Sequence, residues 1–238
     1  MNRIDNDGMD WVITTEQKDG KTIYHITVNA ALYNNSSTNY SQKQMNQLAD
    51  KIKSQCMAVF NTSGKGYTVD FKMNLSVAKS VDDIKSTDHV YQIVDQKVEG
   101  GNLAQADPNN SLNIQIGTRF VNGVLGITND PAVNIRTVAH ELGHTGGLDE
   151  ANKGNAGVTD IRHNIMAQSY YVLRKGIPLN EVTQLTQGQI NMITNNYNQG
   201  KLNTASPIEW QLKLKVMPPF VMPYIQKSLY TNTYFQKR

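Results

Sequence analysis

Apolar residues recur along the chain in two rhythms, and the change from one to the other marks out the elements. Residues 11 to 34, WVITTEQKDGKTIYHITVNAALYN, form two extended runs around Asp19-Gly20, a pair that suits a tight turn, so the chain is expected to open with a β-hairpin. In SQKQMNQLADKIKSQCMAVF the period lengthens: Met45, Leu48, Ile52, Cys56 and Val59 recur at the spacing of one helix face. Ser41 followed three residues later by Gln44 has the form of a capping box, which would start this long amphipathic helix. Segments 66 to 80, 88 to 96 and 111 to 117 alternate or run apolar over strand lengths and imply a mixed sheet. FVNGVLGITN, residues 120 to 129, is interrupted by Gly123 and Gly126 and reads as a shorter edge strand beside a cleft.

A further helix is expected to begin near Asn134, followed by a loop rich in Gly, Asn and Asp. In LTQGQINMITNNYNQG, Thr186 and Gln189 repeat the capping-box pattern, Ile190, Ile193 and Tyr197 share a face, and Gly200 is a natural stop. From Lys201 the composition shifts, with four of the seven prolines after position 206 and aromatics between them. The expected organisation is an arm at 1–10, one domain at 11–200 and an extension at 201–238 packed on that domain. Trp11 and Trp210 are read as packing anchors, and His25 and His89, in strand-like segments, as ordinary surface or core residues.

Composition narrows the classes. Hydrophobic residues at 39% and charged residues at 18% describe a polar globular protein and not a disordered one. The net charge of +3 is small and the basic residues are scattered, which argues against nucleic acid. The single cysteine, Cys56, can form no internal disulfide and is expected in the core. No run is long and apolar enough to span a bilayer, and residues 1 to 20 lack the order of a signal peptide, so secretion or delivery into a target cell would depend on a larger protein or dedicated machinery.

The chemistry concentrates in TVAHELGHTGGLDEAN, residues 137 to 152. On an α-helix residues i and i+4 share a face, so His140 and His144 can aim imidazole nitrogens at one zinc ion, about 2 Å from each. Glu141, one residue after the first histidine, stands beside that point, where it can take a proton from metal-activated water and pass it to a leaving amine. Only neutral imidazoles bind, so activity should fall as the histidines protonate. Gly146-Gly147 can adopt the positive φ that ends a helix and returns the chain beneath the metal.

This stretch resembles the metzincin clan of zinc peptidases, whose pattern is H-E-x-x-H-x-x-G-x-x-H followed by a methionine turn. His140, Glu141, His144 and Gly147 match, and the third-ligand place falls on Glu150. A carboxylate is a competent zinc ligand, and Asp replaces His there in some members, so the resemblance implies His140, His144 and Glu150 as ligands. Asp149 and His163 are the alternatives for the third place. HNIMAQ supplies Met166, 22 residues after His144, where the resemblance implies a methionine in a 1,4-turn packing under the histidines. It also implies that the strand around Val124 to Thr128 pairs with an extended substrate. The fold implied is α+β: a metzincin-like zincin fold whose twisted mixed sheet carries a long helix and an active-site helix, followed by a smaller subdomain with the Met turn and the C-terminal helix.

NRIDNDGMDW, residues 2 to 11, resembles the junction ending the core of rearrangement-hotspot (RHS) repeat proteins, with Asn6 at its proline position. In that family the following segment is a variable toxin domain delivered to rival cells, which implies a cognate immunity protein as partner. The expectation is therefore a zinc-dependent endopeptidase acting on a protein or peptide, with Glu141 as general base. Its rivals are a zinc hydrolase of cell-wall peptides and a catalytically inactive binding module on the same fold.

Overall fold

The computed structural model describes residues 10–95, 103–107, 110–151 and 161–202. The expected hairpin is present as β1 (Trp11–Lys18) and β2 (Lys21–Asn34), paired antiparallel. Its turn works because Asp19 and Gly20 both take positive φ, 51° and 73°, the backbone twist that matches the flanking strands. The long helix α1 (Gln42–Phe60) starts where its capping box predicts: Gln44 N–H donates to Ser41 Oγ at 3.3 Å, and Ser41 N–H donates to Gln44 Oε1 at 2.9 Å. It buries Met45, Leu48, Ile52, Cys56 and Val59 against the sheet.

After α1 come β3 (Ser63–Gly64), β4 (Tyr67–Ala78), β5 (His89–Val94), β6 (Ala104–Asp107) and β7 (Asn110–Gly117). They form one mixed sheet in the order β3-β4-β2-β5-β7-β6, with β1 also paired to β2. β4, β2, β5 and β7 run parallel, whereas β1, β3 and β6 are antiparallel to their neighbours. β5 is central and covered on both faces, so all six of its residues are buried, including His89 and Gln92. The architecture is α+β.

Residues 120 to 129 are not an edge strand. Thr118–Val124 form a helix, α2, followed by a turn at Gly126 with φ 72°. Phe120, Val121, Val124 and Leu125 recur at i, i+1, i+4 and i+5, which is a helix face and not a strand alternation, and Phe120 and Val121 are fully buried. Gly123 is needed for packing: a Cβ there would lie 2.7 Å from the Val133 side chain. The true edge strand on this side of the sheet is β6, short and weakly apolar.

The remaining helices are α3 (Arg136–Thr145), α4 (Ser169–Arg174) and α5 (Gln187–Asn198). α5 carries the second predicted capping box, Thr186 with Gln189, and buries Ile190, Ile193 and Tyr197. One cluster of buried apolar side chains runs from Trp11 through α1 and α3 to Leu202, so the segment with Met166 and α5 shares its core with the sheet. Trp11 is fully buried beside Phe60, whose ring stacks on Phe71 at 4.8 Å. Val138 and Leu142 of α3 are fully buried in the same cluster, and burial of roughly 1.5–3 kcal/mol for each such side chain holds α3 against α1 and the sheet. Among the described residues no helix is long and apolar enough to cross a membrane. The RHS-like junction, but for Asp10 and Trp11, and nearly all of the C-terminal extension, Trp210 included, lie outside the described residues.

Candidate metal centre

α3 carries His140 and His144 one turn apart, their rings edge-on with centroids 4.7 Å apart. The helix ends in a Schellman motif: Gly147 takes φ 83°, its N–H donates to His144 O at 2.9 Å, and Leu148 N–H donates to Gly143 O at 3.1 Å. Gly147 is required twice over, because a Cβ there would also run into the Asn196 amide. The reversed chain brings Leu148 O to 2.7 Å from His144 Nδ1 and then delivers Glu150 to both imidazoles.

The three candidate ligand atoms form a near-equilateral triangle. His140 Nε2 and His144 Nε2 are 3.2 Å apart, and Glu150 Oε1 lies 3.6 Å from the first and 3.7 Å from the second. Ligand atoms about 2.0–2.1 Å from one tetrahedral zinc stand roughly 3.3 Å from each other, so the spacing suits that ion. The hydrogen bonds point the same way. His140 Nδ1 lies 2.8 Å from Ile165 O, and His144 Nδ1 faces Leu148 O. A carbonyl can only accept, so each neutral ring carries its proton on Nδ1 and presents a bare lone pair at Nε2. Two Nε2 atoms at hydrogen-bond distance beside a carboxylate call for either a shared proton or a metal cation between them, and Glu150 Oε2 is buried without a hydrogen-bond partner among the described residues. The donor set, two imidazole nitrogens and one carboxylate oxygen, is one that could hold a metal ion such as zinc.

Burial opposes ionisation of Glu150, but the His140 and His144 imidazoles more than offset it and hold the carboxyl well below its ordinary range. Burial likewise works against a cationic His144, yet Glu150 and Glu141 raise its proton affinity above the usual value. Glu141 is buried, and burial raises its pKa against the opposing pull of the two histidines. Its Oε2 accepts from the Ala106 N–H of β6 at 2.7 Å, which ties the carboxylate to the sheet edge.

Below the histidines, Asn164–Ala167 form the expected 1,4-turn, with Ala167 N–H donating to Asn164 O at 3.0 Å. Met166 is fully buried and packs so closely under Gly143 that a Cβ on that glycine would overlap its Sδ. Ala151 N–H donates to Met166 O at 2.8 Å, which pins the chain just after Glu150 to this turn. The alternatives for the third place are not brought to the site. Asp149 is exposed and outside the cluster, and His163 lies near Glu181 O at 3.4 Å.

Arg136 was not singled out by its sequence context. One turn before His140, its buried guanidinium donates to Ile165 O at 2.6 Å, Ala167 O at 2.8 Å, Ser169 Oγ at 2.9 Å and Val182 O at 3.4 Å. Burial lowers its pKa to about 10, so it remains cationic at neutral pH. An arginine on the first turn of an apolar helix is a faint signal for this role, because only the fold brings four acceptors to it. Asn164 and Gln189, joined by hydrogen bonds of 2.8 and 3.1 Å, link the same turn to the start of α5. No protein-family model matches the chain, and no curated protein matches it either.

Proposed function

We propose that the chain is a zinc-dependent endopeptidase of metzincin type. The observation that carries this reading is the convergence of His140 Nε2, His144 Nε2 and Glu150 Oε1 on one point, with Glu141 next to the first ligand. Zinc bound at that point would polarise the scissile carbonyl and lower the pKa of the attacking water. Glu141 would take the proton from that water and return it to the leaving amine; its raised proton affinity brings it nearer the working pH, as a general base requires. Ile165 O and Leu148 O hold the imidazoles in the ligating tautomer. The substrate backbone would run along β6, the edge strand tied to Glu141 through Ala106, in place of the segment at Val124 to Thr128.

The proposed setting, supported by the junction-like sequence at residues 2 to 11, is a toxin domain delivered by a larger RHS protein and neutralised by an immunity protein. The test is Glu141→Gln, assayed on a peptide library and on bacterial wall fragments. Folding and zinc content should persist while peptide cleavage falls by about 10²–10⁴-fold. Cleavage that survives the substitution removes Glu141 from the mechanism, and cleavage confined to wall fragments replaces the endopeptidase reading with a cell-wall hydrolase.

A further inference from the structure

The sheet has a second edge, far from α3, along β4. β3 covers only Tyr67 and Thr68 of it. Thr22 N–H donates to Gly66 O at 2.9 Å, and from there the parallel register directs even-numbered β4 residues to β2 and turns the N–H and C=O of odd-numbered ones outward. Val69 N–H meets Thr62 O at 2.8 Å, and the Asn61 side chain pairs with both backbone groups of Phe71, at 2.7 and 3.1 Å. Met73 is buried. Leu75 and Val77 are partly exposed, and their outward backbone groups have no partner among the described residues.

A groove of about 730 Å³ opens beside this stretch, bounded by β4 from Asn74 to Ala78, by Asn29 and Ala30 of β2, by Lys53 of α1 and by the segment 79–88. Lys53, Lys79 and Lys85 line it and are exposed. Its two carboxylates are already engaged: Asp83 accepts from Lys79 N and Ser80 N at 2.9 Å each, and Asp88 is buried and accepts from Lys85 N at 2.9 Å. The groove therefore offers three cations against the ionised Asp83, together with a strand edge that is unpaired among the described residues.

We propose that the β4 edge binds an acidic, extended segment of a partner polypeptide, which adds as a strand at Leu75 and Val77 while its carboxylates meet Lys53, Lys79 and Lys85. Outward N–H and C=O groups in pairs call for a ligand with both donors and acceptors, which a polypeptide backbone has and a phosphodiester backbone lacks. Alternation lets such a strand place carboxylates on one face and apolar residues on the other. The metal centre lies at the opposite edge of the sheet, so the partner would dock without covering it.

The test uses the full chain and a fluorescein-labelled peptide of alternating Glu and Val, followed by anisotropy and amide hydrogen exchange. Saturable binding should slow exchange at Leu75 and Val77 by about tenfold or more and leave Asn74 and Ser76, already bonded to β2, unchanged. The double variant Lys53→Glu, Lys79→Glu should weaken binding about tenfold or more while its circular dichroism stays that of the parent. Absence of binding, binding without slowed exchange at those two amides, or equal binding of an oligothymidylate would each overturn the proposal.

Discussion

The carbonyl oxygen of Ile165 accepts from His140 Nδ1 at 2.8 Å, so the first imidazole of the candidate centre and the turn carrying Met166 orient each other. The same oxygen accepts from Arg136 at 2.6 Å, and Ala167 O takes a second bond from that guanidinium. One buried arginine thus holds the floor of the site.

Arg136→Ala should therefore act on both stability and metal binding. It strands the Ala167 and Val182 carbonyls and removes one of the two donors to Ile165 O, at a cost of roughly 2–5 kcal/mol, and loosens the partner of His140, which should weaken zinc binding by about 10–100-fold. Arg136→Lys should not restore either property, since a single ammonium cannot span these acceptors. Denaturant melts and zinc titration against a competing chelator read the two effects separately.

Glu150 should behave as a ligand and not as a loop carboxylate. Glu150→Ala should lower zinc affinity by about tenfold or more, while Glu150→His, which supplies a third imidazole, should recover much of the loss. Glu150→Asp, one methylene shorter, should fall between them. An unchanged affinity in Glu150→Ala would assign the third place elsewhere.

Gly143→Ala tests the packing under the histidines. The added methyl overlaps Met166 Sδ, so the variant should lose about 1–3 kcal/mol of stability in urea unfolding, whereas Met166→Leu should lose less than about 1.5 kcal/mol. Equal losses would mean that Met166 is not pressed against α3.

These residues differ in how far they could be read in advance. The hairpin at Asp19-Gly20 and the capping boxes at Ser41 and Thr186 were legible because each is a local device whose hydrogen bonds close within a few residues. Glu150 was legible only through its spacing, since its place depends on the Schellman turn at Gly147. In α2 two glycines interrupt the apolar run and give it the look of an edge strand, although the spacing of Phe120, Val121, Val124 and Leu125 is helical. β6 leaves almost no mark in the sequence because a four-residue edge strand needs little apolar pattern, yet it supplies the N–H that meets Glu141. Arg136 could not be found locally, since its acceptors lie 29 to 46 residues away.

The pH dependence of stability should carry the mark of Asp10. Burial, with Asp88 nearby, raises its pKa from 3.8 to about 8, so the folded state keeps a proton that the unfolded state has released. That contribution is fully present below about pH 4 and is lost as pH rises towards about 8, with a slope of at most about 1.4 kcal/mol per pH unit. His89 works in the opposite sense: burial lowers its pKa from 6.5 to about 4, so its contribution is lost as pH falls from 6.5 towards 4. Asp10→Asn should therefore gain stability relative to the parent as pH is raised from 5 to 8, measured by urea midpoints. A difference that does not change with pH would remove Asp10 from this role.

The most direct measurement is metal analysis of the purified chain combined with X-ray absorption at the zinc edge. The account predicts one zinc per chain, held by two imidazole nitrogens and one carboxylate oxygen with solvent in the remaining position, and peptide cleavage that stops on chelation and returns with zinc. A chain without stoichiometric metal, a fourth ligand from the protein, or cleavage indifferent to chelation would contradict it.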